Sequence, residues 1–148
     1  MLTTIKKTCR REAAQVAKRM TPELLMLALS VVLGFVHIIV SAIATTHQYG
    51  SKWNLSARDA LMPPLEVMAS RLQRAQHNFL ETFPLFAAAV LIADATNRHG
   101  WMAVWGSQIY FYARALYLPI YAAGLPVIRT VVWSVASFGI LLVLLDLV

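Results

Sequence analysis

Charged side chains are scarce in this sequence. Aspartate, glutamate, lysine and arginine make up 14% of its 148 residues, whereas hydrophobic residues make up 59%. A soluble domain has about 25% charged and roughly 45–50% apolar residues, so the apolar excess here must face something other than water. The composition therefore argues against a soluble globular protein, and lipid is the simplest environment for the excess. The length suffices for one domain and not two.

Cysteine is almost absent as well. Cys9 is the only cysteine, which excludes an intrachain disulfide. No cluster of cysteine and histidine has the spacing of a zinc site. The sequence therefore predicts no metal site.

A basic surface is lacking outside the N-terminal arm, residues 1–19. The arm contains six lysines and arginines against one glutamate, a net charge of +5, which leaves +1 of the chain's +6 for residues 20–148. Nucleic acid is an unsuitable partner, because the body has no basic face. We interpret the arm as a solvated or membrane-surface lead-in. The alternative is an upstream start codon, since Met20 would itself be a suitable first residue.

Long apolar segments are what the sequence has instead. Four segments are each long enough to cross a hydrocarbon core about 30 Å thick; they occupy about residues 22–45, 70–97, 100–123 and 126–147. Thr21, Pro22 and Glu23 follow the pattern of an N-cap, a first-turn proline and a first-turn acid. Residues 97–100 and 124–126 predict tight turns, and residues 46–69 form one long loop. We therefore predict an all-α membrane protein, a four-helix transmembrane bundle with up-down-up-down topology, over residues 20–148.

Polar side chains interrupt the second and third segments in a regular pattern. At 100° per residue, four of them on the second segment lie within an arc of about 80°: Arg71, Arg74, Asn78 and Glu81. One stripe of the third segment contains Ser107, Tyr110, Arg114, Tyr117 and Tyr121. Arg129 opens the fourth segment. Such residues are costly in lipid and usually face the interior of a bundle.

The predicted topology brings these polar faces together. The start of the second segment, the end of the third and the start of the fourth lie on the side of the long loop. Four arginines and one carboxylate then meet, an excess of about three positive charges that is costly without a partner. An anionic ligand with hydrogen-bonding parts would complete the cluster. In the alternative, the arginines snorkel to lipid phosphates while Arg74 and Glu81 pair within the helix.

Two stretches of this cluster are distinctive: RAQHNFLETFPLF at residues 74–86 and YARALYLPIYAAGLPVIR at residues 112–129. The first resembles the second-helix signature of the MAPEG family (membrane-associated proteins in eicosanoid and glutathione metabolism), and the second resembles the end of that family's third helix and the following turn. The resemblance covers about residues 21–148. It implies a bacterial-type member, a multi-pass protein of the bacterial inner membrane that assembles as a homotrimer among membrane lipids.

The resemblance also implies a site and a chemistry. Glutathione would bind between neighbouring subunits, and Arg129 would be the catalytic residue that stabilises its thiolate. The positions implied to bind glutathione are Arg74, Asn78, Glu81, Arg114, Tyr117 and Tyr121. Arginines suit the two carboxylates of glutathione, and a glutamate suits its ammonium. A guanidinium near the sulfur lowers the thiol pKa below its free value of about 8.5.

We accordingly predict a glutathione-dependent membrane enzyme, a transferase or peroxidase, whose second substrate is a lipophilic small molecule. The alternative is a non-catalytic membrane lipid-binding protein of the same fold. The polar residues cluster on one side of the membrane, which argues against a transporter, because a transporter needs access from both sides.

Some positions depart from the family pattern. His77 stands where one branch has an arginine that helps hold glutathione, and Thr82 replaces a tyrosine of another branch. The first segment has no arginine near its end, where His47 and Lys52 are the nearby candidates. His37, in the middle of that segment, is interpreted as a hydrogen-bonding residue of helix packing, with a ligand role as the alternative.

The predicted orientation in the membrane depends on whether the basic residues of the N-terminal arm are counted. With the arm, the positive-inside rule places the N-terminus in the cytoplasm and the long loop outside. From residue 20 onward, four basic residues on the long-loop side outnumber Arg98 on the other side: Lys52, Arg58, Arg71 and Arg129. The resemblance agrees with the second count, so we predict a cytoplasmic long loop.

Overall fold

The computed structural model describes residues 20–148, so the predicted arm with Cys9 lies outside the described residues. The described part contains helices and no strand. The helices are α1 (Pro22–Tyr49), α2 (Ser51–Asn54), α3 (Val67–Ala95), α4 (Trp101–Ala123) and α5 (Pro126–Leu145). The prediction of an all-α chain is confirmed for this part of the sequence.

Three of the four long helices, α1, α3 and α5, are long and apolar enough to cross a membrane. The other, α4, is 23 residues long, but Arg114 and its tyrosines make it more polar. These polar groups are tolerated because α4 contacts α1, α3 and α5, and its Arg114 and Tyr110 are fully buried. The composition of α4 therefore reflects its central position among the long helices.

Consecutive long helices run antiparallel. Arg74, near the start of α3, contacts Tyr121, near the end of α4. Gly106, near the start of α4, lies against Gly139, near the end of α5. This order brings the start of α3, the end of α4 and the start of α5 to one end of the helices, as the predicted topology requires.

The ends of the helices follow from local sequence. Thr21 Oγ1 accepts a hydrogen bond of 3.3 Å from the Leu24 amide, and Pro22 and Glu23 lie in the first turn of α1, as predicted. Gly124 ends α4 in the left-handed conformation with φ of 76°. Glycine adopts that conformation without the steric cost of a Cβ.

The long loop is shorter than predicted at both ends. α1 continues to Tyr49, α3 already begins at Val67, and α2 lies between them. The Gln48 side chain donates a hydrogen bond of 3.0 Å to the Pro64 carbonyl and accepts one of 2.8 Å from the Glu66 amide. These bonds fix the end of α1 beside the start of α3, which positions the polar face of α3.

The backbones of α4 and α5 approach each other closely at two glycines. A Cβ built on Gly106 would lie 2.6 Å from the Gly139 carbonyl oxygen, and one built on Gly139 would lie 2.7 Å from the Gly106 carbonyl oxygen. Small residues at such a contact let helix backbones pack closely. This contact fixes the position of α5 and therefore of the residues in its first turn.

His37 packs as a core residue of α1. The residue is 1% exposed, and its ring stacks on Phe79 with centroids 4.7 Å apart. Neither ring nitrogen has a hydrogen-bond partner among residues 20–148. The structure thus supports the packing part of the prediction for His37 and provides no partner for the hydrogen-bonding part.

Candidate functional site

A cavity of about 340 Å³ opens between α3, α4 and α5 at the end of the helices where the long loop lies. This volume is within the range of roughly 300–1,000 Å³ that small-molecule sites occupy. The lining residues are Arg74, His77, Asn78, Glu81, Tyr117, Tyr121, Arg129, Thr130 and Trp133. The cavity brings together all the residues predicted for the site except Arg114.

The α3 side of the cavity follows from helical spacing, since residues 74, 77, 78 and 81 recur on one face. Arg74 Nε donates a hydrogen bond of 3.3 Å to Tyr121 Oη, and its Nη1 donates to Ser70 Oγ. Glu81 Oε1 lies 3.3 Å from His77 Nε2. Glu81 therefore pairs with His77, and the Arg74–Glu81 pair of the snorkelling alternative is not formed in this structure.

The polar face of α3 is open in the single chain. The side chains of His77 and Glu81 are 79% and 57% exposed. At 1.5 Å per residue, Glu81 lies about 21 Å along α3, near the middle of a helix about 44 Å long. A carboxylate at this depth is costly if it faces lipid. This face therefore requires a ligand, another chain or both as cover.

Arg114 lies behind the wall of the cavity. Its side chain is completely buried; Nη1 donates a hydrogen bond of 2.8 Å to Asn78 Oδ1, and Nη2 donates to Thr82 Oγ1. The guanidinium also lies 5.7 Å and 5.2 Å from the ring centroids of Tyr110 and Tyr117. In this arrangement Arg114 orients Asn78, which does line the cavity.

The α4 and α5 sides of the cavity are held together by an aromatic contact. Tyr117 and Tyr121 lie one turn apart on α4, with ring centroids separated by 5.5 Å. The guanidinium of Arg129, in the first turn of α5, lies 4.8 Å above the ring of Tyr121. This cation–π contact orients Arg129 toward α4 and the cavity.

The cavity thus presents a mixed set of recognition groups. Arg74 and Arg129 supply positive charge and multiple donors, and Glu81 supplies a carboxylate. Asn78 and the tyrosines add neutral hydrogen-bonding groups. This set suits a small polar molecule that carries both carboxylates and an ammonium group.

Sequence reasoning missed two residues of the wall, Thr130 and Trp133. Trp133 lies one turn after Arg129, and that spacing was an available signal. An apolar segment gives no polar marker of which face is inward, so the sequence alone does not assign Trp133 to the wall. Thr82 was noticed only as a departure from a family pattern, whereas its hydroxyl accepts a hydrogen bond from Arg114.

A larger, apolar cavity of about 460 Å³ lies between α3 and α5. It shares Trp133 with the cavity of about 340 Å³ described above, which we call the polar cavity. Its lining includes Leu85, Ile92, Ile140 and Leu141. A hydrocarbon ligand would match this lining. The polar and the apolar cavity therefore adjoin at Trp133.

Comparison with known proteins gives one match that bears on this geometry. The family model described as the MAPEG family matches residues 26–148. The matched range includes every residue that lines the polar cavity. No curated protein matches the chain.

Proposed function

The chain belongs to the MAPEG family, and from this premise we propose that it is a glutathione-dependent membrane enzyme, a transferase or peroxidase for lipophilic electrophiles. The family includes such enzymes and also non-catalytic members. The observation that carries the proposal is the polar cavity, in which Arg74, Glu81 and Arg129 face a common space.

Glutathione fits the donor set of this cavity. It carries two carboxylates, one ammonium group, two amides and a thiol. Arg74 offers paired N–H donors for a carboxylate, and Glu81 offers a counterion for the ammonium. Arg114 occupies the amide oxygen of Asn78, which leaves the NH₂ group of Asn78 to donate to a ligand. The tyrosine hydroxyls supply further polar contacts.

When bound, glutathione supplies a thiol that conjugates an electrophile or reduces a hydroperoxide. Arg129 is the residue we assign to the sulfur, because its guanidinium is held at the cavity by Tyr121. A positive charge there favours the thiolate and lowers the thiol pKa from about 8.5. Each unit of that shift corresponds to about 1.36 kcal/mol. Arg114 acts indirectly, by holding Asn78.

The chain is an integral membrane protein, as its apolar helices and its family indicate, and we propose that α4 also spans the bilayer. Its 23 residues extend about 35 Å, more than a hydrocarbon core of about 30 Å. Only residues 96–100 and 124–125 separate α4 from α3 and α5. If α3 and α5 both cross, these connections are too short for α4 to do otherwise. We place the protein in the inner membrane of a bacterium.

We further propose that the long loop is cytoplasmic. Lys52, Arg58, Arg71 and Arg129 lie at the end of the helices where the polar cavity opens, and Arg98 lies at the other end. The excess of basic residues favours the cytoplasmic side for the cavity. A cysteine placed at Ser51, in a Cys9→Ser background, should resist an impermeant thiol reagent in intact cells and react after the cells are opened. Labelling in intact cells would contradict the proposed orientation.

A non-catalytic lipid-binding protein is the second candidate. The apolar cavity beside Trp133 favours it, since a hydrocarbon chain alone would fill that space. The two functions differ in their need for the polar cavity: the enzyme requires glutathione there, whereas the lipid-binding protein does not.

Calorimetry of the detergent-purified protein with glutathione tests the proposal. We expect saturable binding of one glutathione per subunit. Arg98→Ala is a matched control, because Arg98 is exposed and lies at the opposite end of the helices. Absence of glutathione binding to a folded protein that still binds lipid would favour the second candidate.

A further inference from the structure

A second, smaller cavity of about 140 Å³ lies beside the turn between α4 and α5. Its wall includes three arginines, Arg71, Arg74 and Arg129, and no carboxylate. Within residues 20–148, none of these arginines forms an ion pair with an aspartate or glutamate. Arg71 lines this cavity and not the polar cavity, whereas Arg74 and Arg129 line both.

Arg71 is held at this cavity by the end of α4. Its Nη1 donates a hydrogen bond of 3.2 Å to the Ala122 carbonyl, which belongs to the last turn of α4, where carbonyls lack helical partners. A Cβ on Gly124 would lie 2.5 Å from Cζ and Nη2 of Arg71. The glycine at this turn therefore lets the guanidinium lie against the backbone, so the position of Arg71 is specified by the fold.

Three converging guanidinium groups repel one another, and the repulsion is stronger near a membrane than in water. An anion between them removes this cost. Each guanidinium has five N–H donors in a planar fork, and Arg71 uses one of them on Ala122. The remaining donors match the oxygens of a carboxylate or phosphate.

We propose that Arg71, with Arg74 and Arg129, forms an oxyanion subsite at the α4–α5 turn. Two sources can supply the oxyanion: a carboxylate of glutathione held in the adjoining polar cavity, or the phosphate of a bilayer lipid. The first source rests on the proposed function, and the second does not. In both cases Arg71 is a ligand-contacting residue in addition to those of the polar cavity.

The test compares Arg71→Gln with the parent protein and with Arg98→Gln, which removes an exposed arginine far from both cavities. Gly124→Ala is the second variant, because it keeps the charge of Arg71 but displaces its guanidinium. Calorimetry measures the affinity for glutathione and for glutathione diethyl ester, whose two carboxylates are masked. A phosphate assay counts the phosphatidylglycerol that remains bound to each protein after detergent purification. Circular dichroism confirms the helical fold of each variant.

If the subsite holds a glutathione carboxylate, Arg71→Gln and Gly124→Ala weaken glutathione binding about tenfold and leave binding of the diester unchanged. If it holds a lipid phosphate, both variants retain less phosphatidylglycerol than the parent and Arg98→Gln. If the parent protein binds no glutathione, the proposed function is wrong. The amount of bound phosphatidylglycerol alone then tests the subsite. The proposal is overturned if the variants bind glutathione and the diester equally more weakly while the amount of bound phosphatidylglycerol is unchanged. It is also overturned if Arg71→Gln changes neither the glutathione affinity nor the amount of bound phosphatidylglycerol.

Discussion

Asn78 shows how a single side chain connects the buried and the open parts of the site. Its amide oxygen accepts the hydrogen bond from Arg114, and its other side lines the polar cavity. A buried guanidinium without this acceptor would lose a charged hydrogen bond, which contributes about 1.5–3 kcal/mol. Asn78 therefore satisfies a buried charge and orients a donor toward the cavity at the same time.

At this scale the first prediction concerns the α3 face. Arg74→Ala, Asn78→Ala and Glu81→Ala should each weaken glutathione binding at least tenfold, about 1.4 kcal/mol, because each removes a polar partner from the cavity. Calorimetry measures the affinities, and Arg98→Ala should bind like the parent. Unchanged affinity in all three variants, with the oligomer intact, would instead favour arginines that snorkel to lipid.

The second prediction assigns Arg129 to the sulfur. The thiolate of bound glutathione absorbs in the near ultraviolet, so a pH titration should give the thiol a pKa below its free value of about 8.5. Arg129→Leu removes the positive charge and should raise that pKa again, an effect measured on bound glutathione and therefore separate from any loss of affinity. Arg98→Leu is the matched control. If the thiol titrates identically with and without Arg129, that residue is a boundary anchor and does not stabilise the thiolate.

The sequence predicted the residues of α3 better than those of α4. Arg74, Asn78 and Glu81 share a face because of spacing within one helix, and local geometry suffices to place them together. Whether Arg114 lines the cavity or lies behind its wall depends on the rotation of α4 about its axis relative to three neighbouring helices. Helical periodicity does not specify that rotation. The His77–Glu81 pair was missed for a similar reason, since several partners were within reach of Glu81.

At the scale of the helices, the α4–α5 contact determines where Arg129 and Trp133 lie. The third prediction is that Gly139→Ala destabilises the protein by about 1–3 kcal/mol, since the added Cβ meets backbone and forces two helices apart. In the structure that Cβ lies 2.8 Å from the Tyr110 amide nitrogen. Unfolding in detergent measures the loss, and Ser134→Ala, at an exposed position of α5, should change stability little. Equal stability of the two variants would contradict the close contact.

Helix boundaries were predicted to within a few residues, with errors in both directions: α3 and α5 end at Ala95 and Leu145, two residues before their predicted ends. The apolar pattern ended α1 at residue 45 and began α3 at residue 70, whereas the helices extend to Tyr49 and begin at Val67. Hydropathy reports the hydrocarbon core, but helical hydrogen bonds continue into the polar region beyond it. The side-chain bonds of Gln48 to the chain before α3 join residues far apart in sequence, and no local pattern predicts them.

At the scale of the whole molecule, the single chain leaves its most polar face uncovered. His77 and Glu81 are largely exposed on α3, one of the helices apolar enough to span a membrane. A carboxylate at the middle of such a helix is unfavourable in contact with lipid. Glutathione bound in the polar cavity would cover part of this face, and a neighbouring copy of the chain would cover the rest.

The last prediction is that the protein is a homotrimer in lipid, with glutathione between neighbouring subunits. The exposed α3 face motivates the second copy, and the family resemblance motivates the number three. Chemical crosslinking in lipid nanodiscs should give a ladder that ends at the trimer, and the same reaction after dissociation in sodium dodecyl sulfate should give only the monomer. Because glutathione and the neighbouring subunit would together cover the polar face of α3, glutathione should protect the trimer against dissociation on heating. The protection should be weaker in Glu81→Ala than in the parent protein. A ladder that ends at the monomer or dimer would contradict the trimer and would leave the His77–Glu81 pair in need of a different cover.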